Sequence, residues 1–295
     1  MSKALLYFFS FIALHLQAQY IGKLQKSDPK KQTLVNEFGE KYVGAYLQID
    51  DSSYMPDGFG KFIDKLGNSF EGTWTNGKKN GKGIYRWMTG DFYDGTWLND
   101  LREGVGHYKT YAGIDYNGQW KNDMRNGVGT QTWPDNQLYK GNWRNDLQDG
   151  YGTMRYSNGD QYEGDWVNGL REGKGKLFYA FGDKYSGDFH DDLREGFGTM
   201  VWSNGQKYEG EWHSNLQNGQ GTYFWKNGER YIGQFEDGKR SGKGTHYFKN
   251  GNRFEGEWKD NTPNGQGRMY YPTGKSYGGR WENGHLMERS KDKKD

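Results

Sequence analysis

The chain has 295 residues, among them 47 glycines, 12 tryptophans, 23 tyrosines and 16 phenylalanines, with 5 prolines and no cysteine. Glycine is more than twice the roughly 7% of ordinary globular chains, and a mean hydropathy of −1.16 excludes a conventional aliphatic core, so the core must be aromatic and thin. The 40 basic and 38 acidic residues nearly cancel, which leaves no global field to gather nucleic acid or an anionic membrane, and without cysteine there are no disulfides, thiol catalysis or Cys-ligated metals.

At the N-terminus, MSKALLYFFSFIALHLQAQ has one positive charge at Lys3, an apolar run from Ala4 to Leu16 and the small Ala18. This is the layout of a secretory signal peptide, too short for a comfortable membrane span. Cleavage is expected after Ala18 or Gln19, with an uncleaved anchor as the other reading. Residues 20–41 form a lead-in without a repeat, and an irregular first repeat occupies 42–69, opening on Tyr42, Gly44 and Tyr46.

From residue 70 the chain is periodic. The pattern aromatic-x-Gly-x-aromatic opens at Phe70, Tyr93, Tyr116, Tyr139, Tyr162, Tyr185, Tyr208, Tyr231, Phe254 and Tyr277, every 23 residues without insertion or deletion, and the array ends at Gly284. Residues 285–295 read as a charged tail.

We count each unit from its opening aromatic as position 0. Gly stands at position 2 and Trp or Phe at position 4 (Tyr162, Gly164, Trp166). Gly returns at 11 and 13, and positions 15 and 17 are apolar or aromatic (Gly173, Gly175, Leu177, Tyr179). This period-two pattern predicts strands with one buried face, so each unit is a β-hairpin. A six-residue loop with 4 opposite 11 sets 2 against 13 and 0 against 15. The paired glycines then serve as seats for aromatic rings. Asn-Gly or a relative at positions 19 and 20 predicts a three-residue turn between units with Gly left-handed, pairing position 17 with the next opening aromatic. The expected fold is all-β: an elongated, single-layer, twisted antiparallel meander of ten to eleven 23-residue hairpin repeats, about 21 strands at ~4.8 Å each.

The stretches YEGEW with its following Gly-x-Gly at 208–221 and FEGEWKDNTPNGQG at 254–267 resemble the MORN repeat (membrane occupation and recognition nexus). The resemblance covers 70–284 and, more loosely, 42–69. It implies an elongated β-meander that acts as a scaffold and protein-binding surface, with dimers and membrane association in some members.

On the face away from the rings, positions 1 and 3 are often acidic and 12 and 14 often basic. Asp165 is expected against Lys174, and Glu163 against Lys176. Such interleaving disfavours a phosphoinositide site, which needs clustered uncompensated cations. Positions 8 to 10 form a row along one edge: Leu101, Arg102; Met124, Arg125; Leu147; Leu170, Arg171; Leu193, Arg194; Leu216. Either each Leu folds back over the nearest Trp, or the row is a candidate partner-binding edge. The aromatic face, represented by Tyr139, Trp143, Tyr162, Trp166, Tyr185, Tyr208 and Trp212, is the other candidate surface.

Chemistry finds little support. His190 and His213 share position 5 of adjacent units, roughly 10 Å apart and too far to share one metal. His246 faces the core. Gly-x-Gly recurs with the sheet period and opens no helix, so a nucleotide loop is not expected. No catalytic residue, metal or cofactor is expected. The reading is a non-enzymatic exported scaffold or protein-binding module, periplasmic, at the cell surface or secreted. It would have a protein partner, with a homodimer admitted and no nucleic acid. The alternatives are carbohydrate binding on the aromatic face and membrane-lipid binding.

Overall fold

The computed structural model describes residues 20–25 and 33–289; the expected signal peptide and the tail beyond 289 lie outside them. Among the described residues there are 24 strands and no helix, arranged as one open antiparallel sheet in which the chain runs as a hairpin meander. The count exceeds the expected 21. The lead-in adds the strands Lys23–Gln25 and Thr33–Val35, and His285–Arg289 completes a last hairpin after the array's final glycine. Contacts divide the chain into two units, 1–124 and 125–295.

In the second unit the hairpin Gln161–Val167 with Leu170–Phe178 shows how the sequence folds. Tyr162 pairs with Leu177 and Gly164 with Gly175, as the periodicity predicts, but Trp166 pairs with Arg171 and Val167 with Leu170. The six-residue loop is therefore replaced by a two-residue turn at Asn168 (φ 49°) and Gly169 (φ 84°). Both residues are left-handed, as the primed turn that matches strand twist requires. The remaining residues enter a bulge at Gly173 (φ 62°). Gly173 and Lys174 pair instead with Phe189 and Asp188 of the next strand.

The turn between units is the expected three-residue one. Tyr156 N–H donates to Asp160 O at 2.9 Å, Gly159 N–H to Tyr156 O at 3.0 Å, and Gly159 has φ 90°. Its register differs from expectation: Met154, at position 15, opposes Tyr162, while Tyr156 at position 17 closes the turn. Three residues in the turn place 17 against 21, and the opening aromatic then meets 15.

The paired glycines are ring seats. A Cβ on Gly164 would stand 2.5 Å from Tyr162 Oη and 2.6 Å from Gly175 Cα. The Tyr162 hydroxyl donates to Asp165 O at 3.0 Å, and Trp166 Nε1 donates back to Gly152 O at 3.4 Å. Tyr162 meets Trp166 edge-on at 5.1 Å and Phe189 at 5.2 Å. Repetition of this contact builds a ladder that runs to Phe254 and Trp281, 5.0 Å apart. Edge-to-face pairs add about 0.5–1.5 kcal/mol each beyond area burial, which lets a thin sheet hold a core.

In the first unit, Phe92–Leu98 and Leu101–Lys109 repeat the same hairpin, with Trp97 against Arg102. Its beginning is closed by Tyr20, which is 8% exposed. The Tyr20 ring packs edge-on against Phe62 at 5.8 Å, and its one hydroxyl hydrogen is shared between Leu34 O and Glu40 O, both at 3.0 Å.

Candidate functional site

Neighbouring repeats are joined at both strand ends. Arg171, at position 9, donates its N–H and its Nε to Asp192 Oδ1 at 2.9 Å and its Nη2 to Asp192 O at 2.7 Å. Its guanidinium lies over the rings of Tyr162 and Phe189, at 5.6 and 5.3 Å. Arg102 with Asp123, Arg125 with Asp146, Arg194 with Asn215 and Arg240 with Asn261 build the same clamp. Where position 7 of the next unit is glycine, as in Gly169, Gly238 and Gly284, position 9 is Gln148, Gln217 or Pro263. This covariation was legible in the sequence as pairs 21 residues apart, and the reading by single rows missed it. At the first such site, Pro56 with Gly77, the amide of Tyr20 reaches the Gly77 carbonyl at 3.5 Å. The clamp arginines donate to the equivalent carbonyl.

Position 10 makes a second link. Glu172 accepts from Asp191 N–H at 3.1 Å and bonds His190 Nδ1 at 2.9 Å; Glu195 does the same with Ser214 and His213. The hydrogen bonds to Glu172 and Glu195 raise the pKa of His190 and His213. The carboxylates fall below their ordinary value, Glu172 chiefly through His190 and Glu195 chiefly through the Ser214 amide. Ligand atoms of Glu172, His190 and Asp191 lie within 4.8 Å of one another, but both Glu172 oxygens already serve the repeat link. Its recurrence with Ser214 in place of Asp191 marks it as structural. At the other strand end, Asp160 and Asp183 each accept a turn N–H of the next unit at 2.8 Å, from Ala180 and Ser203.

These links revise the expected edge. Arg102, Arg125 and Arg171 turn onto the aromatic side, with side chains only 20%, 23% and 18% exposed, so arginine and not leucine covers the rings. Leu170 pairs with Val167 and Leu193 with His190 on the opposite face. Leu147, Leu170, Leu193 and Leu216 are 38–45% exposed there; Leu101 and Met124 are half-buried. On the polar face Glu163 opposes Lys176 as expected, but the bulge sets Asp165 against Glu172. Lys174 pairs instead with Asp188, at 2.5 Å.

The rings taken as an aromatic surface are core. Tyr139, Tyr162, Tyr185 and Tyr208 are at most 1% exposed, and Trp143, Trp166 and Trp212 at most 5%. Burial pushes the tyrosine hydroxyls up, so they stay neutral donors. On this side of the sheet the rings at position 17 stay partly open, and the incorrect register had hidden them as partners of the opening aromatics. Tyr156, Tyr179, Trp202, Trp225 and Phe248 are half-buried. Trp225 stacks on His246 at 4.9 Å and His246 on Phe248 at 4.3 Å. His246 is 6% exposed and bonds Arg240 Nη1 at 2.9 Å and Glu229 Oε2 at 3.4 Å. Burial and then the Arg240 charge lower its pKa, against Glu229.

Between the position-17 rings and the clamp row of the second unit runs a groove of about 760 Å³, lined by Tyr156, Leu177, Tyr179 and Phe189 with Arg171 and Arg194. That volume falls in the range of ligand sites, and the lining is more polar than apolar, with Gln137, Asn158, Asp160, Asp192 and Asn215 beside the rings.

No curated protein matches this sequence. Among solved structures, the chain is similar to the TCP domain of Drosophila melanogaster SAS-4 (dCPAP), solved with a proline-rich motif of Ana2: 16% identity over 65% of this chain and 97% of that one, TM-score 0.32. It is also similar to the TCP10 domain of Danio rerio CPAP, at 13% identity over 72% and 95% of the two chains, TM-score 0.36. At TM-scores this low neither structure informs the function of this chain. The model of the MORN repeat matches nine consecutive stretches, from 70–92 to 254–276, where the glycine seats, the ring ladder and the 23-residue hairpins recur, and the chain belongs to the MORN-repeat family.

Proposed function

We propose that the chain is a non-enzymatic, exported scaffold that holds an extended segment of a partner protein in the groove of its second unit. The observation that carries this reading is the meeting of half-buried rings, Tyr156 and Tyr179, with the guanidinium groups of Arg171 and Arg194 around one groove. Aromatic and arginine side chains of this kind dominate protein recognition, and repeat arrays present such surfaces without an enclosed reaction centre. The test is capture of partners from an envelope extract by residues 20–295, wild type against Tyr156→Ala/Tyr179→Ala. Undiminished capture by the double variant sinks the groove.

A second reading is favoured by the exposure of Leu147, Leu170, Leu193 and Leu216 on the opposite face: the partner would lie across this row. Capture lost in a leucine variant and kept in the tyrosine variant would favour it.

A further inference from the structure

We propose that Arg194 is the anchor of the groove, and that the segment bound there carries a carboxylate side chain, Asp or Glu, next to an apolar or aromatic residue. The inference rests on the groove reading above and assigns the chemistry of its occupant.

The array supplies its own controls. Arg102, Arg125 and Arg171 clamp the next repeat through an aspartate, so their charge is compensated at 2.9–3.0 Å. Arg194 makes the same clamp with Asn215: Nη2 donates to the backbone oxygen at 2.8 Å and Nε lies 3.4 Å from Oδ1. Its partner is therefore a neutral amide. Arg240 also clamps an asparagine, Asn261, but spends Nη1 on His246 Nδ1 at 2.9 Å. At the position of that histidine, Arg194 has Met200, whose Sδ stands 4.0 Å from Nη1, and a thioether is at best a weak acceptor.

The carboxylates around the groove are already engaged. Asp192 is held by Arg171. Asp160 accepts from Ala180 N–H at 2.8 Å through one oxygen and from Asn158 Nδ2 at 2.9 Å through the other. Asp160 keeps its charge, because both its donors are neutral, so the lining balances overall. Of its two cations Arg171 is paired with Asp192, while Arg194 sits against neutral groups, half-buried over the rings of Tyr185 and Trp212 and open to the groove. A guanidinium in such a partly desolvated setting favours a carboxylate over a neutral acceptor, and Tyr156, Tyr179 and Leu177 offer the adjoining apolar seat.

Selection of a displayed random 12-residue peptide library on residues 20–295 tests this. The selected peptides should share an Asp or Glu beside an aromatic or aliphatic residue. For the best of them, fluorescence anisotropy should show binding weakened roughly tenfold or more when its acid becomes the amide. This change leaves the protein untouched. Arg194→Gln should weaken the acidic peptide similarly and leave the amide peptide unaffected, while Arg194→Lys should recover part of the loss; melting temperatures of both variants report the clamp separately. If the peptides depend on Tyr156 and Tyr179 but not on their acid, the anchor is wrong and the groove reading stands. If no peptide is enriched, both fail. If phosphatidylserine vesicles bind through Arg194 and no peptide does, the cation serves a lipid headgroup and the proposal is overturned.

Discussion

Arg171 and Asp192 stand 21 residues apart in the chain, yet the guanidinium Nη2 lies 2.7 Å from the aspartate's backbone oxygen and Nε 2.9 Å from its carboxylate. One side chain thus joins two repeats and covers the ring of Phe189 between them. Each repeat touches mainly its neighbours, so such links carry the coupling along a repeat array. Arg171→Ala should lower stability by about 2–3 kcal/mol, the scale of hydrogen bonds to charged groups plus lost packing. Gln148→Ala, where Gly169 replaces the aspartate, should cost clearly less. Equal losses in urea unfolding would mean that the clamp does not couple the repeats.

Gly210→Val and Glu209→Val separate the two faces. A Cβ on Gly210 would stand 2.5 Å from Gly221 Cα and 2.6 Å from both Gln220 O and Tyr208 Oη, and backbone at that distance cannot move aside. The glycine variant should lose about 3 kcal/mol or more, by overpacking beneath a buried ring. The Glu209 variant gives up a half-exposed contact with Lys207 at 2.8 Å and should stay within about 1 kcal/mol of wild type. Chemical denaturation of the pair checks the assignment.

Tyr20→Ala should destabilise the beginning of the first unit by about 3 kcal/mol, because the ring closes over Phe62 and its hydroxyl lies within bonding distance of two carbonyls. Hydrogen exchange should show the loss concentrated in strands Lys41–Gln48 and Tyr54–Ile63, with little change past residue 125. In an exported chain, intact mass should place the first residue at Gln19 or Tyr20. A mature chain starting after Tyr20 would contradict both statements.

The leucine row can now be tested cleanly. At 38–44% exposure, changing Leu147, Leu170 and Leu193 together to Ser should lower the melting temperature only slightly, since partly exposed positions cost little. A fall of several kcal/mol would mean that these leucines cover core after all.

His246 gives the array a pH response of definite sign. Its folded pKa lies below the ordinary 6.5 because burial and Arg240 disfavour the charged form. Stability is therefore present above the unfolded value and falls as pH drops through 6.5 toward the folded one. His190 and His213 work the other way, with folded pKa values raised by Glu172 and Glu195; their contribution is present at low pH and lost as pH rises through those values. Both side chains are exposed, and solvent screens them. Melting curves between pH 7.5 and 5 should fall with acid in wild type and flatten in His246→Gln.

The 23-residue spacing, the period-two alternation and the paired glycines were enough to predict hairpins, the opposition of Tyr162 to Leu177, the three-residue turn at Gly159 and the ring seats. All of these follow from local geometry, where side-chain parity and turn length leave few choices. Which side chains cover the rings did not follow. A two-residue turn at Asn168 and Gly169 and a bulge at Gly173 shift the strand end by two residues, and that shift turns Arg171 onto the rings, leaves Leu170 in solvent and separates Asp165 from Lys174. A bulge is a compromise between two neighbouring strands, since Gly173 forgoes its hairpin partner to pair with Phe189. The groove likewise exists only where the clamp of one repeat meets the turn of another, so Arg194 and Tyr156, 38 residues apart, become neighbours around one opening.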